Sequence, residues 1–423
     1  MRLQQIYVRH YPPGLRLSCR QSNGTCHHKS IDLVSLGPET NVRLLVSQLI
    51  EKESLLTKAH IHRLYDILHG LIDKQCLAQD MEYALARTIK AHMQPLTNVA
   101  ISKHGTLVAT ASYDKTAKLI RLQGQEDKVV LRGHEGVVYC VALNTPYSSL
   151  AVTGSFDKTC RVWDTTTGTC KQVLTGHEGE VVSVGFNASG SRVGSCSMDC
   201  TATVWDVETG KAEFDLTGHA AEVACFAFDG SKSSSFMATG SCDSTVRLWD
   251  ARYGECFRSL HAHTADVSTV AFNHQSNLLL TSSTDGTAKV WDVQSGKPLF
   301  VLGDHVGEVT DACFNSTGSL MATAGVDGHI FVYDTLTAKR RSHCLGHSGE
   351  VMQVAFSRQG GRLVSAGADH TSRVWHAQTG ECLQVLRGHE DQVFAAHFAY
   401  DGATVVTASK DNAVRVFTDK SSG

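Results

Sequence analysis

From residue 83 onward, apolar positions recur every second residue in short runs that end at Gly, Asn, Asp or Ser. "VVYCVALN" (137–144), "LAVTGS" (150–155), "TCRVWD" (159–164) and "CKQVLTG" (170–176) are four such runs in succession. Alternation with period two predicts strands, and their Val, Thr, Cys and Trp content agrees. The intervening Gly, Asn, Asp and Ser residues suit tight turns. Upstream the pattern changes. "LQQIYVRH" (3–10) and "LRLSCR" (15–20) read as strands joined by Pro12-Pro13-Gly14, and "HKSIDLV" (28–34) follows a Ser-Asn-Gly turn. Two stretches then take helical spacing: Val42, Leu45 and Leu49, followed by Leu64, Ile67, Leu68, Leu71 and Ile72. Residues 1–80 are expected to form a small α+β domain. A core of about 80 residues is marginal alone, so this domain is expected to dock on the rest of the chain.

The strand quartets are copies of one unit. "GSFDKTCRVWD" (154–164) returns as "GSCSMDCTATVWD" (194–206), "GSCDSTVRLWD" (240–250) and "SSTDGTAKVWD" (282–292), with four weaker copies. A histidine precedes each copy: His92, His134, His177, His219, His263, His305, His347 and His389, at intervals of 42, 43, 42, 44, 42, 42 and 42 residues. Four short strands per period of this length match a propeller blade. All five tryptophans hold one repeat position, and Ile120, Tyr333 and Phe417 hold it in the other three copies. On these residues the chain resembles the WD-repeat family. The fold expected is an all-β eight-bladed WD-repeat β-propeller with a small N-terminal α+β domain. The last copy stops at Phe417 without an outer strand, whereas "EYALARTIK" (82–90) is a strand without a blade. Residues 83–418 are therefore expected to be the propeller, with 83–90 completing blade 8 and leaving no open edge.

Ser155, Asp157 and His134 are the residue types of a hydrolase triad. Eight copies at one period argue for structure instead. An imidazole can bridge a carboxylate to a hydroxyl, and buried turns contain backbone groups that need partners. The family resemblance implies hydrogen-bonded tetrads of His134, Ser155, Asp157 and Trp163; His177, Ser197, Asp199 and Trp205; His219, Ser241, Asp243 and Trp249; and His263, Ser283, Asp285 and Trp291. Other copies depart from this set. Blade 1 has Ile120-Arg121 for Trp-Asp, and blade 6 has Asp304, Gly325 and Tyr333 for Gly, Ser and Trp. Blade 7 has Gly367 for Ser, and blade 8 has Phe417 for Trp. Each of these is expected to lose at least one hydrogen bond and local stability.

Composition narrows the function classes. A net charge of −3 leaves no electrostatic footprint for nucleic acid. The chain shows neither a run of about 18 apolar residues nor an N-terminal apolar signal segment, so no membrane association is expected. Fourteen cysteines without a secretory signal predict reduced thiols in the cytosol. Cys19, Cys26, His27 and His28 lack a Cys-x-x-Cys pair, so no metal site is expected. There is no Gly-x-x-x-x-Gly-Lys phosphate loop. No cofactor and no catalytic residues are expected, and an enzyme is the least favoured class.

Met1-Arg2-Leu3, "YPPG" (11–14), "KSIDL" (29–33), "LGPET" (36–40) and "KAHMQPLTNVA" (90–100) carry a narrower resemblance. They are similar to the axonemal dynein assembly factors with WD repeats, adaptors that carry outer dynein arms into cilia and flagella. The resemblance implies a monomeric protein of the cytoplasm and cilium, including basal body and axoneme. Its implied partners are a preassembled outer-arm axonemal dynein and an intraflagellar transport subunit, the latter in a cleft between N-terminal domain and propeller. The alternative is a substrate receptor of a cullin-type ubiquitin ligase, suggested by Arg252 in "DSTVRLWDAR" (243–252). A G-protein-β-like subunit would need a coiled-coil helix that residues 41–74 do not sustain. For the cargo surface, the loops offer Tyr113, Phe156 and Met198 on blades 1 to 3. Glu180, Glu222, Asp266, Glu308 and Glu350 follow the loop histidines on blades 3 to 7. An apolar sector beside an acidic arc suits an anchor with electrostatic steering.

Overall fold

The computed structural model describes residues 2–9, 14–20, 26–33, 36, 40–53, 55–57, 60–77, 81–103, 105–122, 128–145, 147–231 and 235–420. The chain divides into two compact units, Met1–Glu82 and Tyr83–Gly423. In the first, β1 (Arg2–Arg9), β2 (Gly14–Arg20) and β3 (Cys26–Asp32) form an antiparallel meander. The expected turns at Pro12-Pro13 and Ser22-Asn23-Gly24 lie outside the described residues. Helix α1 (Val42–Lys52) starts at Asn41, whose side-chain oxygen accepts from the Leu44 N–H at 3.3 Å, a standard N-cap. Helix α2 spans Ile61–Leu77. Alternate β2 residues Leu15 and Leu17 meet Leu64 and Leu68 of α2 in one core, all four fully buried. In α1 the buried face is Val42, Val46 and Leu49. Leu45, expected on that face, is only partly buried, because Val46 turns inward instead.

The second unit is an eight-bladed propeller of four-stranded antiparallel sheets. Blade 2 shows the plan: Val138–Leu143 innermost, then Leu150–Ser155, Thr159–Asp164 and Cys170–Thr175. The turn between second and third strands needs a left-handed residue just after its aspartate. Only blades 5 and 6 place glycine there, Gly286 and Gly328; Lys158 (φ 71°) and Cys200 (φ 68°) adopt it with a side chain. That conformation costs an L-residue roughly 1–2 kcal/mol. The preceding aspartate offsets the cost by accepting from the N–H two residues on, as Asp157 does from Thr159 at 3.0 Å.

The core lies between blades. The residue at the tryptophan position reaches backward into the preceding blade. Trp163 packs with Leu107, Ala109 and Leu119 of blade 1, Trp205 with Val152 and Val162 of blade 2, and Ile120 with Val406 and Val414 of blade 8. Each indole removes roughly 150–250 Å² from water, so this single position cements neighbouring sheets. Strand β4 (Tyr83–Lys90) pairs antiparallel with the last strand, Ala413–Asp419, as the outer strand of blade 8. The last strand of the propeller is thus held by its first.

Candidate functional site

Each blade contains a buried hydrogen-bond chain. In blade 2, Asp157 Oδ2 lies 2.8 Å from His134 Nδ1, His134 Nε2 lies 2.8 Å from Thr153 Oγ1, and the Trp163 indole N–H donates to that same hydroxyl at 2.8 Å. An ionised carboxylate can only accept, so Nδ1 carries the proton and Nε2 accepts from the hydroxyl. The hydroxyl in turn accepts from the indole. The chain is satisfied with a neutral imidazole. Asp157 also accepts from the Glu135 and Thr159 N–H groups and from the Thr159 hydroxyl.

The bridging hydroxyl corrects the sequence reading. It belongs not to Ser155, Ser197, Ser241 and Ser283 but to the residue two positions earlier: Thr153, Ser195, Thr239 and Thr281. A strand alternates faces, so both positions point the same way, and spacing alone could not separate them. The expected serines tie the turn instead. Ser155, Ser197, Ser241 and Ser283 accept from the N–H of Asp157, Asp199, Asp243 and Asp285. Ser241 also donates to the Ala221 carbonyl of the histidine loop. Blade 7 is corrected by the same shift. Gly367 is not the bridging position, so His347, Ser365 and Trp375 complete the chain at 2.7 and 2.8 Å. Blade 6 substitutes a different bond: the Tyr333 hydroxyl donates to Asp304 at 2.9 Å. Ile120 and Phe417 supply no donor at this position.

These sets are closed to chemistry. Thr110, Thr153, Ser195, Thr239, Thr281, Thr323, Ser365 and Thr407 are all 0 % exposed, so none of these hydroxyls can meet a substrate. Burial pushes the His219 ring below its ordinary 6.5, against the pull of Asp243. Burial alone would raise the Asp199 carboxyl, but Thr201, His177 and the Glu178 N–H hold it down at about 2. Among the described residues, no group of three His, Cys, Asp or Glu side chains is placed to hold a metal ion. The side chains of Cys26, His27 and His28 lie outside the described residues, while Cys19 is buried. No described helix is long and apolar enough to cross a membrane.

The rim beside the histidine loops is open. In every blade the residue before the turn aspartate donates its N–H to the carbonyl three residues after the loop histidine. The pairs include Tyr113 with Pro95, Phe156 with Val137, Met198 with Glu180, Cys242 with Glu222, Thr284 with Asp266, Val326 with Glu308 and Ala368 with Glu350. This bond sets every candidate on the same rim, and in blade 3 it joins an apolar one, Met198, to an acidic one, Glu180. Tyr113 and Met198 are 45 % and 43 % exposed. Phe156 stacks on Tyr139 at 5.2 Å, and Tyr139 was not singled out from the sequence. Its signal was an aromatic at an inner-strand position that most other copies fill with small residues. Glu222, Asp266, Glu308 and Glu350 are exposed, and Glu180 is half-buried. The Cys242 thiol is pushed up to about 11 by burial and by the Asp266 and Glu222 carboxylates beside it. Arg252, the residue behind the ligase alternative, forms a two-point pair with Asp250 of its own turn at 3.0 and 2.6 Å.

The family described as "WD domain, G-beta repeat" matches residues 84–121, 125–164, 168–206, 210–250, 254–292, 296–334, 339–376 and 380–418. Proteins named "Dynein assembly factor with WD repeat domains 1" from Homo sapiens, Mus musculus and Danio rerio are 40%, 41% and 41% identical to the chain over 147 residues. Each match spans 35% of this chain and 35% of the relative. The crystal structure of the computationally designed Ika8 protein superposes with a TM-score of 0.69 at 30% identity, covering 78% of this chain and 98% of that one. With eight matched repeats, eight four-stranded sheets and one repeated hydrogen-bond chain, this protein belongs to the WD-repeat family.

Proposed function

We propose that the protein is a non-enzymatic adaptor in dynein assembly, linking preassembled outer dynein arms to the intraflagellar transport machinery in the cytoplasm and cilium. The partial match to relatives named as dynein assembly factors supports the dynein part of this reading. The resemblance of the N-terminal segments to that group is what suggests the transport part. The observation that carries the cargo surface is the paired rim. Tyr113, Phe156 and Met198 form an apolar sector continuous with the acidic arc of Glu180, Glu222, Asp266, Glu308 and Glu350. The apolar sector would anchor a basic partner that the arc attracts.

The test is a binding assay with purified outer dynein arms. Replacing Glu222, Asp266 and Glu308 together with Lys should slow association about tenfold or more, because reversed rim charges act on encounter. Wild-type association should also slow as salt rises. The same variant should keep its transport subunit, which we assign to residues 1–80; a chain beginning at residue 81 should keep dynein and lose transport. Association that ignores both salt and the triple substitution would remove the arc from the cargo surface. Undiminished transport binding by the truncation would remove residues 1–80 from theirs.

A further inference from the structure

The inner strands run from the histidine loops to a second opening of the central channel. There the first hairpin turns of the blades surround a recess of about 600 Å³. Its lining comes from blades 1, 2, 4, 6, 7 and 8, so it is the channel mouth itself and not a groove between two sheets. Phe314, Phe356 and Phe398, the last residues of three consecutive inner strands, are half-buried and present an apolar edge in a lining otherwise polar at Ser102, Thr145, Ser316 and Ser357. Two cations stand above it. Lys103 Nζ lies 4.7 Å and the Arg358 guanidinium 4.6 Å from the centre of the Tyr400 ring. Neither forms an ion pair with a described residue. The nearby Asp401 carboxylate is turned onto its own loop, accepting from the Ala403 N–H at 2.9 Å. The opposite mouth carries the acidic arc. It has acids where this mouth has Lys103 and Arg358.

We infer that this mouth is a second docking site, for an acidic peptide segment that carries an apolar side chain. The phenylalanine edge would receive the apolar side chain, and Lys103 and Arg358 would pair with the flanking carboxylates. Stacking of both cations on Tyr400 holds them at the rim before a ligand arrives. The recess falls within the volume range of pockets that take small ligands. A bare phosphate would leave the apolar edge uncovered, and a basic segment would be repelled here and drawn to the other mouth. This inference does not rest on the dynein reading.

The full-length protein can be titrated with fluorescein-labelled synthetic peptides in which Glu and Asp alternate with Phe. Binding is expected, weakening as salt rises. It should fall about tenfold or more in the double variant Lys103→Glu and Arg358→Glu, since each substitution turns an attraction into a repulsion. Arg358 is exposed and Lys103 half-buried, so an unchanged melting temperature would show that the ring is intact. Substituting Glu222, Asp266 and Glu308 with Lys should leave this peptide's affinity unchanged. A matched peptide with Ala for Phe should bind at least severalfold more weakly. Equal binding by that peptide, or full competition by tripolyphosphate or anionic vesicles, would overturn the inference in favour of a simple anion site. Absence of binding, or binding indifferent to the double variant, would overturn it outright.

Discussion

In blade 2, two hydroxyls on one strand carry different loads. Thr153 joins His134 to Trp163, so removing its hydroxyl strands an imidazole nitrogen and an indole N–H in a dry interior. Ser155 accepts one turn N–H. An unsatisfied buried group costs about 1–3 kcal/mol. Thr153→Val, with two orphans, should therefore lower the thermal midpoint more than Ser155→Ala, with one. The reverse order in thermal unfolding would return the bridge to Ser155. Six of the loop histidines, with His397, make stability depend on pH. Burial lowers His92, His219, His263, His305, His347 and His389 below 6.5, and His397 to about 4. Below 6.5 the unfolded chain binds protons that these rings refuse, so stability is lost as pH falls. Asp311 opposes this: burial raises it to about 6, despite N–H bonds from Val354 and Ala312, so its protonation stabilises the fold between that value and 3.8. Asp229, also raised by burial, adds to it. The imidazoles outnumber these carboxyls. The melting temperature should decline steadily from about pH 7 downward, and a rise over that span would contradict the neutral-ring assignment.

At the scale of a blade, departures from the repeat pattern are coupled within the blade. Blade 6 has glycine at position 325 where most blades have serine. Restoring serine reads as an improvement by sequence. The local geometry says otherwise. His305 Nδ1 sits 3.0 Å from both oxygens of Asp327, and a Cβ at 325 would come within 2.5 Å of that nitrogen and 2.8 Å of Asp327 Oδ1. Gly325→Ser should therefore destabilise by about 1–3 kcal/mol through overpacking, and a raised melting temperature would show that the imidazole can retreat. His347 and Asp369 repeat the geometry around Gly367 in blade 7. The number of blades, the tryptophan position and the loop histidines were legible in the sequence because each repeats at a fixed period. The identity of the bridging hydroxyl was not, since Ser and Thr recur at two same-face positions of one strand. Nor was the stacking of Tyr139 on Phe156, or the bond from Tyr333 to Asp304, because each occurs in one blade and leaves no period to read.

At the scale of the whole ring, a propeller has one weak seam, where its ends meet. Strand β4 closes it across more than 300 positions of sequence, since Lys90 faces Ala413 and Tyr83 faces Asp419. Tyr83 fastens the strand to two blades. Its hydroxyl donates to the Gly402 carbonyl at 2.6 Å, and its backbone exchanges two bonds with the Gln384 amide of blade 7. Ile89 joins Val406, Val414 and Val416 in the core shared by blades 8 and 1. A chain beginning at residue 81 keeps every one of these contacts, whereas a chain beginning at residue 91 loses all of them. The second truncation exposes the backbone of Ala413–Asp419 as an unpaired edge beside buried valines, a template for pairing with another chain. The chain from 81 should elute as a compact species and melt close to the full-length propeller transition. The chain from 91 should melt at a lower temperature and self-associate as its concentration rises. Adding residues 81–90 back as a synthetic peptide should partly restore both properties. Light scattering with thermal unfolding on the two truncations decides the matter, and equal midpoints without self-association would mean that the ring is closed by blade-to-blade packing alone.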